Sequence, residues 1–203
     1  MPSTVDYDYC AGVLPYTSFN NNIYFLLGKS RRSGRLITFS GKNSQFDATR
    51  RDTAAREFFE ETLGSVIDRS TMTSILDRCK IVLESTTPRG QPCFTYVVEI
   101  PFRKHYALCF TKTRGFLEAI NMRGPEYLEM CDIKWVCARS MLTKIRKQWE
   151  KFGTLTSTHE WGKLEQLSSL SPADVISWRP IPDDYDLDIG SSTVKSIKYH
   201  LRT

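Results

Sequence analysis

Three glutamates crowd one side of a single predicted helix in the stretch "RDTAAREFFEETLG", which begins at Arg51. Ala55, Phe58, Phe59 and Leu63 recur at helical spacing while Arg56, Glu57, Glu60 and Glu61 fall mostly elsewhere, so the period is that of an amphipathic helix with an acidic polar side. Asp52 or Thr53 is placed to cap its start and Gly64 to end it. Residues three and four apart share a face, which sets Glu57 beside both Glu60 and Glu61, where like charges repel. Two arrangements relieve that repulsion. One is a solvated face paired with Arg50, Arg51 or Arg56. The other is a hard divalent cation, Mg²⁺ or Mn²⁺, which all-oxygen ligands suit.

What surrounds the helix limits the fold. Ahead of it, "CAGVLPY" and "IYFLLGK" read as strands joined by a turn at "NNN". "RRSGRLITFSGK" reads as a turn at Gly34, a strand around 36–39 and another turn at Ser40-Gly41. After it, "CKIVLES" and "CFTYVVEIPF" form two strands about the turn "TTPRGQP", and "CDIKWVCA" forms another after the polar "NMRGPEYLEM". "RKHYALCFTKTRGFLEAI" has no clean period and reads as loop with some helix. "RSMLTKIRKQWEKFG" reads as a helix whose basic residues Lys144, Arg146, Lys147 and Lys151 are a solvated face before they are an RNA or phosphate patch. This order predicts a mixed sheet flanked by helices, an α/β layered domain. It spans 1–153, with 154–203 as an extension packed on the same domain and a loosely attached tail at its end.

Other classes are excluded by composition. With 40% apolar and 25% charged residues the chain is that of an ordinary globular protein. Its first residues lack the basic start and apolar run of a secretory signal, and no apolar span is long enough for a bilayer, so the expected setting is cytoplasmic or nuclear, with no membrane partner. The six cysteines are scattered without zinc-like spacing, which predicts reduced, buried thiols and no disulfide framework. A net charge of +5 favours phosphate-rich ligands but falls short of a dedicated nucleic-acid binder.

The stretch from Gly41 to Gly64 resembles the Nudix box: Gly, five residues, Glu, seven residues, Arg-Glu, an apolar residue, any residue, Glu-Glu, any residue, Gly. Gly41, five residues and Asp47 match its opening with Asp for Glu, and Arg56-Glu57-Phe58-Phe59-Glu60-Glu61 matches its core without a gap. Eight residues rather than seven precede Arg56, and Thr62-Leu63 rather than one residue precedes Gly64. The flanking strands are similar to those of a Nudix α/β/α sandwich with a mixed sheet.

That resemblance implies hydrolysis of a nucleoside diphosphate linked to another moiety by water activated on Mg²⁺ or Mn²⁺. It makes Glu57, Glu60 and Glu61 metal ligands, the Ser40 carbonyl a further ligand and Arg56 the organiser. Glu60 or Glu61 also helps to deprotonate water. A later loop carboxylate is common in the family, and of Glu126, Glu129 and Asp132 the sequence favours Glu129. Asp47 is either a surface or capping acid or a support for Arg56. For the substrate, Phe19, Phe116, Tyr127 and Trp161 are candidates to stack a base, and Arg89, Lys104 and Arg114 to meet phosphates; each is more often packing or surface. The first expectation is a pyrophosphohydrolase of nucleotide sugars, ADP-ribose, dinucleotides or nucleoside triphosphates. The second is removal of an mRNA 5′ cap, with capped RNA as partner. The third is a non-catalytic module that binds a nucleotide or RNA. Oligomeric state is not legible.

Overall fold

The computed structural model describes residues 8–87, 90–121 and 124–141, with only the backbone of Pro125 and Glu126. The extension at 154–203, the basic residues between 144 and 151, Arg89 and Trp161 lie outside the described residues.

The chain begins with a hairpin, β1 (Cys10–Phe19) and β2 (Asn22–Ser30). Phe19 pairs with Asn22, and between them Asn20 and Asn21 both take left-handed backbone, φ 46° and 63°. A two-residue turn of that hand matches strand twist, and asparagine tolerates it better than most residues. β1 and β2 pair only at the hairpin end, Tyr16–Phe19 against Asn22–Phe25, and then diverge. Into the wedge run β3 (Leu36–Ile37), which pairs with β2, and β4 (Phe39–Lys42), which pairs with the start of β1. Ser40 and Gly41 therefore lie in a strand, not in the turn that the glycine suggests.

The rest of the sheet is built outward from this pair. β5 (Val82–Thr86) and β6 (Pro92–Glu99) form a second hairpin, and β6 runs parallel to β1 along the edge away from β4. β7 (Met130–Cys137) lies antiparallel to β2. Among the described residues the result is one mixed seven-stranded sheet.

Helices α1 (Arg50–Glu61), α2 (Arg69–Asp77) and α3 (Tyr106–Ala119) pack on it. α1 starts earlier than its apolar pattern suggests. Thr49 is the N-cap, accepting from the Asp52 amide at 3.2 Å and donating to the Asp52 carboxylate at 2.9 Å. This is a reciprocal cap with aspartate three residues in. α2 has no strong sequence signal because only Met72 and Leu76 are buried on an otherwise polar segment. α3 corrects the loop reading of 103–120: its buried residues are Tyr106 and Phe110, one turn apart, which is too few to show a period.

Alternation along the strands splits the core in two. Ala11, Val13, Leu26, Phe94, Tyr96 and Val98 meet Ala54, Ala55 and Phe58 of α1, with Met72, Leu76, Tyr106 and Phe110 of the other helices. Leu14, Leu27 and Val136 point the other way and meet Leu36 and Met141. α1 is pinned over β4 by Phe58, which meets Phe39 edge-on at 5.2 Å. Burying Phe58 contributes about 2–3 kcal/mol.

Candidate metal centre

β4 and α1 together bring the acidic residues to one place. Gly41 faces α1 so closely that an added Cβ would lie 2.3 Å from the Glu57 carboxyl carbon and 2.3–2.4 Å from its oxygens. The glycine is needed for this approach, because any side chain would expel the Glu57 carboxylate.

Arg56 binds four groups through one guanidinium. Its Nε and Nη2 hold Asp47 at 3.1 and 2.9 Å, Nη2 donates to the Lys42 carbonyl at 2.7 Å, and Nη1 donates to Glu57 at 2.8 Å and Glu60 at 3.0 Å. The planar fork suits this bidentate use. Asp47 is the support for Arg56 and not a surface acid: its side chain is 0% exposed. It also accepts from the Ser44 amide at 2.9 Å and the Thr53 hydroxyl at 3.0 Å. The residue added before Arg56 is thus absorbed without loss of the Asp47 contact. The second one is absorbed where α1 ends, with Leu63 and Gly64 both left-handed at φ 55° and 62°. The Gly64 amide closes on the Phe59 carbonyl at 2.9 Å.

Glu61 departs from the picture of three acids on a solvated side. It is 3% exposed, in line with Ala54 and Phe58 on the face that α1 buries. Its Oε2 has no hydrogen-bond partner among the described residues. Burial drives its pKa well above the usual carboxylate value, the charges of Glu57 and Glu129 add to this, and a hydrogen bond from the Ser40 backbone opposes it. Glu57 is raised to about 7, first by burial, against the pull of Arg56, with Glu60 and Glu129 adding repulsion. Burial alone would also raise Asp47, but hydrogen bonds from Arg56, Ser44 and Thr53 bring it below its ordinary value. These opposite shifts separate two acids that favour the proton, Glu57 and Glu61, from an anchor, Asp47, that favours the ionised form.

Glu129 is exposed at the start of β7, and its charge reaches both Glu57 and Glu61. Of the two later acids whose side chains are described, Glu129 is the one whose charge reaches Glu57 and Glu61, and Asp132 stands within β7 opposite Lys29. The base-stacking candidates do not converge. Phe19 stacks on Phe102 at 4.5 Å, inside an aromatic row that continues to Tyr24 and Trp135. Phe116 is 62% exposed on α3, and Tyr127 is half-buried in a short 3₁₀ turn. Arg114 is held by Glu118 at 2.8 Å, and Lys104 is exposed.

The donor set suits a hard cation, since it is all oxygen, includes a buried carboxylate oxygen without a partner and is crowded enough to resist ionisation. As the side chains stand, no group of three or more His, Cys, Asp or Glu among the described residues could hold a metal ion. Glu57 and Glu60 each turn one oxygen toward Arg56 instead. No helix among the described residues is long and apolar enough to cross a membrane.

No family model matches the chain, and no curated protein does. Solved structures do. A MutT/nudix family protein from Enterococcus faecalis matches at 13% identity and TM-score 0.40, over 68% of this chain and 46% of that one. The C. elegans Ap4A hydrolase matches at 14% identity and TM-score 0.40, over 72% and 96%. The NUDIX domain of Shewanella oneidensis NrtR, complexed with ADP ribose, matches at 12% identity and TM-score 0.43, over 70% and 81%. The stretch from Gly41 to Gly64 runs from β4 through α1, against one mixed sheet with helices packed on it, an α/β fold.

Proposed function

We propose that this chain is a divalent-metal-dependent hydrolase that cleaves the diphosphate linkage of a nucleoside diphosphate derivative. The observation that carries the reading is Glu61: a buried carboxylate, one oxygen without a partner, set against Glu57 beside a glycine strand. A carboxylate left that way costs stability unless a proton or a cation neutralises it, and a cation would do so while leaving it ionised.

Glu57, Glu60, Glu61 and the Ser40 carbonyl would hold Mg²⁺ or Mn²⁺. When bound, the cation supplies water of lowered pKa and offsets charge building on the phosphate oxygens. The chain's own residues do the rest. Arg56 fixes the rotamers of Glu57 and Glu60, and Asp47 fixes Arg56 in turn. Glu60 or Glu61 would take a proton from the attacking water. Glu129, on the exposed side, supplies a further carboxylate.

The test is hydrolysis of a panel of nucleotide sugars, ADP-ribose, dinucleotides, nucleoside triphosphates and capped RNA, each with Mg²⁺, with Mn²⁺ and with chelator. Glu61→Gln is the control: it keeps the shape of the side chain and removes its charge. Turnover is expected to vanish in that variant while the fold persists. Undiminished metal-dependent turnover would refute the assignment, and binding without products would point to a nucleotide-binding module.

A further inference from the structure

Cys10 opens β1 and Cys93 lies near the start of β6, far apart in sequence but paired in the parallel register. Register partners on neighbouring strands present their side chains to one face about 4.8 Å apart. That separation lies within the Cα range of about 4.4–6.8 Å that a disulfide spans. Both residues are free thiols, half-buried and hydrogen-bonded to each other. Ser85, the register partner of Cys93 on β5, donates a second hydrogen bond to the Cys93 sulfur. The pair sits at an accessible end of the sheet, beside the exposed Lys42–Asp8 ion pair at 3.4 Å and Gln91, which donates to Asp8.

The two thiols are not equivalent. Cys93 is brought down to about 7, chiefly by the hydrogen bond from Cys10, with burial opposing and Ser85 assisting. Cys10 is raised by its bond to Cys93, by burial and by the Cys93 charge, against the pull of Lys42. Cys93 is therefore suited to attack near neutral pH, and Cys10 to resolve.

On its other edge Cys10 pairs with Lys42, and the Lys42 carbonyl accepts from Arg56. A bond of about 2.05 Å between the two thiols would draw the start of β1 toward β6 and away from β4. We propose that Cys10 and Cys93 are a redox-active pair that a low-molecular-weight disulfide, such as oxidised glutathione, closes into a cross-strand disulfide, and that closure reaches the Arg56 anchor through Lys42.

The exchange has two steps. Cys93 Sγ, as thiolate, attacks one sulfur of the oxidant, forming a mixed disulfide and releasing one thiolate. Cys10 Sγ gives its proton to solvent and attacks Cys93 Sγ, releasing the second. Two protein thiols are oxidised by two electrons and one small disulfide is reduced to two thiols.

The chemistry is independent of the proposed hydrolysis, and the test reads thiols rather than turnover. The full chain is equilibrated in glutathione buffers from reduced to oxidised, free thiols are blocked, and peptides are mapped without reduction. The expected result is a Cys10–Cys93 linked peptide that appears toward the oxidised end. Cys10→Ser should stop with one glutathione on Cys93, and Cys93→Ser should leave Cys10 unmodified. In the oxidised wild-type protein, amide hydrogen exchange across 39–43 should speed up severalfold over the reduced form. Cys10 and Cys93 both remaining blockable in wild-type protein at the oxidised end would overturn the proposal, whether or not the variants fold. A disulfide that leaves exchange across 39–43 unchanged would overturn its link to Arg56.

Discussion

Gly41 and Asp47 show how single residues set the acidic cluster. Because a Cβ at 41 would overlap the Glu57 carboxyl group, Gly41→Ala should turn Glu57 away from the strand. Activity should fall about 10–100-fold, the range seen when support of a metal ligand is lost, with little change in the unfolding midpoint. Kinetics and thermal melts on one preparation would separate the two effects. Asp47→Ala removes the fully covered partner of a half-buried guanidinium and should cost about 3 kcal/mol in urea unfolding. A loss near zero would mean that Glu57 and Glu60 suffice to hold Arg56. The sequence shows that Glu57, Glu60 and Arg56 belong together, because helix spacing is enough to say so. It does not show that Glu61 is inside. Glu61 lies on the buried face for reasons of tertiary packing, and a periodic reading assigns a charged residue to solvent by default.

Among the elements, the most legible were those with a strong local signal and the least legible those stabilised mainly by neighbours. The hairpin at Asn20 and Asn21 was legible because few residues accept left-handed backbone. Asn21→Gly should stabilise it further by about 0.5–1 kcal/mol, since glycine takes φ 63° without strain and removes a buried amide nitrogen that has no partner. An unchanged or lower urea midpoint would contradict that account. The end of β4 is hidden in the sequence because Gly41 looks like a turn, whereas its role is the close approach of α1. α2 and α3 each bury only two residues of the core, so their helicity depends on the sheet they cover more than on pattern. The Cys10–Cys93 pair was invisible for a related reason: only strand register brings the two together.

At the scale of the molecule, folding and protonation meet at Glu57, and the proposed metal binding would be linked to both. Folded Glu57 holds its proton up to about 7, against an ordinary value of 4.5. Between those values the folded state binds more protons than the unfolded chain, so this group's contribution to stability is greatest below 4.5 and falls as pH rises toward 7. A cation at the carboxylates competes with the proton. The rise in melting temperature on adding Mn²⁺ should therefore be larger at about pH 8 than at about pH 5. Equal rises at both would place the ion elsewhere. The central claim, that the crowded glutamates of α1 form the metal site of a diphosphate hydrolase, is tested most directly by product release from the nucleotide panel, comparing wild type with Glu61→Gln. The account predicts cleavage of one substrate class that needs Mg²⁺ or Mn²⁺, stops with chelator and is lost in the variant; cleavage that survives chelator or Glu61→Gln would contradict it.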